Sequence, residues 1–274
     1  MREKSHESGF DIPFFSFQSV PMTTAIIGST GFVGSNLVPH FPDSVQFNSR
    51  NIESIRGQHF DRVFCAGIQA KKWWANQHES EDLAAIHILL EALRTVTTDH
   101  FTLISTVDVY PIPSGVDESS PVDPAINHAY GRNRFLAEEF VQATFPRHLI
   151  LRLPGLFGVG LKKNVIHDFI QSHELEKINP RGVYQYYWLG RLPADIQRAG
   201  ELGLSVLNLA TEPVGTQEIH DRFFPDRALG TPTEFVASYD MHTLYSADWG
   251  SASERYLYDK NAVLEQLAAF LTQP

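Results

Sequence analysis

Three glycines, Gly28, Gly31 and Gly34, follow the short apolar run Thr24 to Ile27 and open a stretch that reads as a helix. One glycine in such a turn permits a tight bend, one lets the backbone approach a pyrophosphate, and one lets the helix lie close on the strand. The helix start then offers free N–H groups and a positive dipole end to the phosphates. Thr30, Phe32 and Val33 complete the turn, whose spacing differs from G-x-G-x-x-G, so its strand-before, helix-after context carries much of the reading. The adenosine ribose of a dinucleotide held there would meet the end of the second strand. An acid at that point suits the 2′-hydroxyl of NAD(H), whereas an arginine suits the 2′-phosphate of NADP(H). The segment Phe47-Asn48-Ser49-Arg50-Asn51 has no acid and offers Arg50, whose guanidinium can take a phosphate bidentately. It favours NADP(H) and leaves NAD(H) open; the plainer alternative is that Arg50 is a surface loop charge.

A second group of residues could handle protons. Ser105 and Thr106 end an apolar strand, and in open α/β sheets ligands bind at the carboxyl ends of strands. Tyr130 and Arg134 are four residues apart on a helical stretch and so share a face. A tyrosine ordinarily ionises near about pH 10, and a neighbouring cation brings it closer to working range.

The elements that must position these residues alternate. Strands are expected at 24–27, 45–47, 62–66, 101–104 and 148–153. Helices are expected at 81–96, from the spacing of Leu83, Ile86, Leu90 and Leu93, and at 129–144, with Asn127 as its cap and Pro146 beyond its end. This alternation predicts an α/β fold: a Rossmann-type, doubly wound parallel sheet with helices on both faces. Further on, 165–170, 193–202 and 262–271 read as helices and 206–209 as a strand. The expected organisation is a tail over residues 1–21, a dinucleotide-binding domain over 22–158, and a smaller, mainly substrate-binding α/β lobe over 159–274 that partly returns to the sheet.

Three stretches resemble the extended short-chain dehydrogenase/reductase family of nucleotide-sugar epimerases, dehydratases and reductases. Gly28 to Gly34 is similar to its G-x-x-G-x-x-G turn, Ser105-Thr106-Val107-Asp108-Val109-Tyr110 to its S-[ST]-x-x-V-Y segment, and Tyr130-Gly131-Arg132-Asn133-Arg134 to its Y-G-x-x-K segment. A weaker echo is Arg152 to Gly158, against R-x-x-N-x-Y-G. The resemblance spans residues 24 to 160 in the family's order and is faint beyond. It implies that Tyr130 is the general acid/base, that Thr106 bonds the same substrate oxygen, and that position 134 serves Tyr130 and the nicotinamide ribose. Residues expected to bind the cofactor are Gly28, Thr30, Gly31, Phe32, Val33, Gly34, Arg50, Ala66, Gly67, Tyr130 and Arg134. The resemblance also implies a homodimer paired through the helices 81–96 and 129–144.

The chain departs from the family at instructive places. Arg134 replaces the family lysine; it keeps the charge, is bulkier, and cannot release a proton at working pH. Val107-Asp108 lacks the first acid of the Asp-Glu pair that dehydratases carry, which argues against dehydration. Asp82 and Gly155 stand where the family has asparagines, and Gly34 to Cys65 is short, as in compact sugar-nucleotide reductases.

Composition narrows the classes further. A net charge of -10 and a pI near 5.6 argue against a broad nucleic-acid-binding surface. Single Cys65 forbids an internal disulfide and reads as core, and no apolar run reaches the roughly 18 residues of a membrane span. The phenylalanines of residues 10–17 are interrupted by Asp11 and Pro13, unlike a signal peptide. These features predict a cytoplasmic protein with neither membrane nor nucleic-acid partners. The twelve histidines show no metal-ligand spacing, so no metal is expected. Tyr184 to Trp188 reads as one packed strand or as a stacking wall; Lys162, Lys163, Arg181 and Arg191 read as surface charges or as ligands of a substrate diphosphate; Lys71 to Trp74 fall where a substrate loop would sit. The leading expectation is an NAD(P)-dependent oxidoreductase or epimerase acting on a hydroxyl or ketone of a nucleotide sugar or similar polar metabolite. The alternatives are a catalytically degenerate dinucleotide-binding regulator or scaffold, and a reductase of a non-sugar ketone.

Overall fold

The computed structural model describes residues 22–234 and 236–272; the expected tail, residues 1–21, lies outside the described residues. The central sheet comprises β1 (Thr24–Ile27), β2 (Val45–Phe47), β3 (His59–Cys65), β4 (Thr97–Thr106), β5 (His148–Leu153) and β6 (Val206–Asn208). All are parallel, in the spatial order β6-β5-β4-β3-β1-β2. The chain steps outward from β1 to β2, then crosses back to lay down β3 and its successors on the other side. That reversal opens a crevice at the carboxyl ends of β1 and β3, the usual ligand position in such sheets.

A parallel sheet must be covered on both faces. Helices α1 (Phe32–Leu37), α2 (Lys72–Gln77), α3 (Glu79–Leu93), α4 (Ala129–Thr144), α5 (Val165–Gln171), α6 (Leu192–Glu201), α7 (Thr216–Phe223) and α8 (Lys260–Leu271) surround it or build the lobe. Successive strand residues face opposite ways, and the core divides accordingly. Ala25, Ile27, Val63, Cys65, Leu103 and Ile150 pack with Ile86, Leu89 and Leu90 of α3 and Ala137 and Val141 of α4. Ile26, Phe64, Leu149, Leu151 and Leu153 pack on the other face with Leu37 of α1 and Leu192 and Ile196 of α6. Cys65 is a core residue, and burial pushes its thiol up to about 11.

The start of α4 differs from the sequence expectation. His128, not Asn127, caps it: its Nδ1 accepts from the Gly131 amide at 3.0 Å. Asn127 instead donates to the carbonyls of Asp108 (3.0 Å) and Val109 (2.7 Å), fastening α4 to the end of β4. Tyr184 to Trp188 is not one strand either. Val183–Tyr184 pairs antiparallel with Val214–Gly215, and Tyr186–Trp188 pairs parallel with Gly155–Phe157. Between them the buried Gln185 exchanges hydrogen bonds with Met241 and donates to the Thr211 carbonyl, so its side chain takes over where a strand ladder would run. The lobe has its own core, which includes Phe157, Ile166, Phe169, Ile219 and Leu264, while β6 rejoins the sheet beside β5.

Candidate active site

The glycine turn is packed to the backbone. Gly28 has φ of 78°, a conformation that costs glycine nothing. A side chain there would meet the Ala66 carbonyl oxygen at 2.3 Å, and one on Gly34 would meet the Gly28 oxygen at 2.1 Å. The Gly28 and Ser29 amides both donate to the Phe47 carbonyl, which ties the turn to β2. Phe32 and Val33 pack against the core, Ala66 is half-buried, and Thr30, Gly31 and Gly67 are exposed. An exposed backbone turn with no room for Cβ atoms behind it fits a pyrophosphate. Arg50 is exposed in a turn braced by Asn48 and Asn51. Among the described residues its guanidinium has no ion-pair partner.

Thr106 and Tyr130 meet at the far side of the crevice. Thr106 ends β4, and its hydroxyl accepts from the Asp108 amide, capping the short turn Val107–Val109. The Thr106 side chain lies close enough to the Tyr130 hydroxyl to lower its pKa, and the Tyr130 amide donates to Asn76 of α2. Gly131 lets α4 approach: a Cβ there would lie 2.0 Å from the Asp108 carbonyl oxygen. Below, Glu138 accepts from Ser105 and from the Arg152 guanidinium, and Arg152 reaches the Tyr110 hydroxyl at 2.6 Å. This buried network fixes the end of β4.

Arg134 is tightly held. It is 3% exposed and forms a two-pronged ion pair with the buried Asp82, which also accepts from Asn133. Its remaining terminal N–H groups reach the carbonyls of Gln69 and Tyr130, and its guanidinium lies 4.0 Å from the Tyr130 ring centroid. Burial raises the Tyr130 pKa above its ordinary value. Arg134, the Thr106 side chain and Lys72 pull it down, Asp108 pushes it up, and the net direction is upward. The phenol is therefore protonated at neutral pH.

A second charged group borders the pair. Lys72 of α2 bonds Asp108 at 2.7 Å, and the Tyr239 hydroxyl lies 3.3 Å from Lys72 and 3.4 Å from Asp108. Tyr239 also stacks on Tyr184, which walls a lobe cavity of about 280 Å³. The sequence pattern does not flag Tyr239, Asn76 or His128, because only the folded chain brings them to Tyr130. Of the aromatic run, Tyr186 and Tyr187 are core residues. Trp73 is 66% exposed, Trp74 stacks on His78, Arg191 covers the Tyr258 ring, and Lys162 and Arg181 are exposed. Among the described residues, one set of metal-ligand types, His59, Asp61 and Asp99, comes together. It is at the opposite ends of β3 and β4, largely exposed, and apart from this site.

The sequence profile of the NAD dependent epimerase/dehydratase family matches residues 45–185. No curated protein matches the chain in sequence. Solved structures share the fold. The Bordetella bronchiseptica enzyme WbmG in complex with NAD has 17% identity and a TM-score of 0.69, covering 92% of this chain and 94% of its own. The Bacillus anthracis dTDP-4-dehydrorhamnose reductase in complex with NADP has 17% identity and a TM-score of 0.68, covering 92% and 100%. The Thermotoga maritima UDP-glucose 4-epimerase with UDP-glucose has 16% identity and a TM-score of 0.61, covering 80% and 90%.

Proposed function

The chain belongs to the NAD dependent epimerase/dehydratase family, and from that membership we propose that it is an NAD(P)-dependent oxidoreductase or epimerase acting on a hydroxyl or keto group of a nucleotide sugar or similar polar metabolite. The observation that carries this reading is the convergence of Tyr130, at the start of α4, with Thr106, at the carboxyl end of β4, beside the crevice of the glycine turn: the Thr106 side chain is close enough to lower the Tyr130 pKa. Gly28 to Gly34, with Ala66 and Gly67, would hold the pyrophosphate, and Arg50, which makes no ion pair among the described residues, the adenosine 2′-phosphate, which favours NADP(H). Neighbours of this fold have been solved with NAD and with NADP, which supports a nicotinamide dinucleotide of either kind. Bound there, the nicotinamide would supply or accept the hydride.

The chain's own residues would move the proton. A protonated Tyr130 is a donor, the state needed when a ketone oxygen becomes a hydroxyl. Thr106 would orient the same oxygen. Arg134 fixes the ring of Tyr130 and biases its proton through a charge that Asp82 balances. The lobe cavity beside Tyr184 and Tyr239 would take the remainder of the substrate.

Tyr130→Phe removes one hydroxyl and leaves the crevice intact. We expect cofactor affinity to persist and turnover to fall by about 10²- to 10⁴-fold; an unchanged rate would remove Tyr130 from the mechanism. Arg50→Glu should weaken NADPH by about ten- to a hundred-fold in a fluorescence titration, since charge-assisted bonds contribute about 1.5–3 kcal/mol. Equal loss of NADH would show that Arg50 does not read the phosphate.

The balanced Arg134–Asp82 pair also favours a second reading, a dinucleotide-binding regulator or scaffold without turnover. A ketone and nucleotide-sugar screen on the wild type separates the two: tight cofactor binding with no hydride transfer on any substrate supports the second. A homodimer through α3 and α4 completes the proposal, with Ile88 of α3, 58% exposed, as the apolar contact. Ile88→Asp should convert dimers to monomers in sedimentation equilibrium, and a wild type already monomeric at high concentration would refute it.

A further inference from the structure

The positive charge of the site is distributed unevenly. Arg134 is cancelled by Asp82, and Lys72 is paired with Asp108. The terminal N–H groups of Arg134 all serve protein acceptors, and its Nε is buried without a partner, out of reach of solvent. A third cation stands beside them. Lys163, in the lobe segment between Gly155–Phe157 and α5, donates to the Ala70 carbonyl, while Arg134 donates to the carbonyl of the preceding Gln69. The two cations therefore sit on neighbouring carbonyls of the loop that follows β3. Lys163 is exposed, and among the described residues it makes no ion pair. Two of its three N–H donors remain to be used.

Lys163 is also placed deliberately. The next residue, Asn164, holds φ of 96°, costly for a side chain of any type, and its own amide secures that backbone. It donates to the Leu156 carbonyl at 2.8 Å and accepts from the His167 amide at 3.2 Å as the cap of α5. The ammonium is held below the usual lysine value, first by desolvation and then by repulsion from Lys71 and Arg134, against the pull of Asp108. A hydrogen-bond acceptor at this point would replace solvation that the surroundings remove.

The direction of a bound dinucleotide identifies the acceptor. A dinucleotide with its pyrophosphate at the glycine turn and its adenosine half on Arg50 and β2 would have its nicotinamide half on the other side of the turn, toward the loop after β3 and Tyr130. The group between pyrophosphate and nicotinamide is a ribose with two hydroxyls. We propose that Lys163, reaching over from the lobe, is the residue that donates hydrogen bonds to the nicotinamide-side ribose, and that Arg134 is a positioning residue fixed by Asp82. This rests on the dinucleotide reading above.

The test compares ligands that do and do not contain that ribose. NADPH and adenosine 2′,5′-bisphosphate are titrated against wild type, Lys163→Met and Lys163→Arg, with NADH and ADP as the corresponding pair should NADH bind more tightly. Thermal melts confirm that the variants fold. The expected result is a loss of about ten-fold or more in dinucleotide affinity for Lys163→Met, the size of a charged hydrogen bond, with the adenosine-half ligand unchanged and Lys163→Arg partly restored. Unchanged dinucleotide affinity, or equal weakening of both ligands, overturns the role of Lys163 while the dinucleotide reading stands. Failure of the wild type to bind either dinucleotide or its adenosine half removes that reading and this one with it.

Discussion

Arg134 shows how a replacement in a recognisable motif changes meaning once its surroundings are known. The sequence gives an arginine where a lysine would act as a mobile cation, and spacing alone places it on the face of Tyr130. The fold adds Asp82, 52 positions away, as its counter-ion. A buried pair of this kind stabilises little in net terms, because desolvation offsets attraction, but breaking it leaves a bare charge in the interior. Asp82→Ala should therefore cost about 3–5 kcal/mol, and the double change Asp82→Leu with Arg134→Met should recover most of that loss in chemical denaturation. A double variant as unstable as Asp82→Ala would mean that the pair is needed for more than mutual neutralisation. The motif glycines, Thr106 and Tyr130 could be proposed from the sequence because each lies in a short stretch that resembles a family motif. Lys72, Tyr239 and Lys163 were not legible as neighbours, since they come from α2, a C-terminal segment and the lobe, and no local pattern records that convergence.

At the scale of elements, those with strong internal signals matched the chain pattern. The expected 129–144 helix and 148–153 strand coincide with α4 and β5, because Pro146 and uninterrupted apolar spacing mark them. The short pairings Ser114–Val116 with Asp240–Met241, and Gly155–Phe157 with Tyr186–Trp188, carry no such mark, as each strand is defined only by its distant partner. The α4 cap leads to a pH dependence. His128 must keep Nδ1 unprotonated to accept from Gly131, and desolvation, then the Lys72 charge, lower its pKa from 6.5. A histidine with a lowered folded pKa contributes stability that is present above the unfolded value and lost as pH falls through the folded one. The start of α4, and with it Tyr130, should loosen as the pH drops below about 6.5. His128→Asn keeps a cap without that titration. Its melting temperature should fall less steeply on acidification than the wild type's; parallel slopes would place the acid sensitivity elsewhere.

Over the whole molecule, the sheet and the lobe, which has a core of its own, are joined by a shared hydrophobic cluster. Leu149, Leu151 and Leu153 of β5 are covered by Tyr187, Leu189, Leu192 and Ile196, all contributed after residue 158. β6 completes the hydrogen bonds of β5. Glu118, in the β4–α4 connection, accepts from the Asn208 amide, the Thr243 hydroxyl and the Leu244 amide, so one carboxylate joins three distant segments. A dividing line near residue 158 therefore cuts through a shared cluster and is not a boundary between folding units. A fragment of residues 22–158 would leave three leucines of β5 open to water, each forfeiting about 1.5–3 kcal/mol of burial, and would leave that strand without its outer partner. We expect the fragment to show no cooperative thermal transition, whereas the full chain should unfold in a single calorimetric step. A fragment that melts cooperatively would show the dinucleotide-binding part to be self-sufficient. Lys163 would then be attached through a movable lobe, and its reach to the loop after β3 would depend on how that lobe docks.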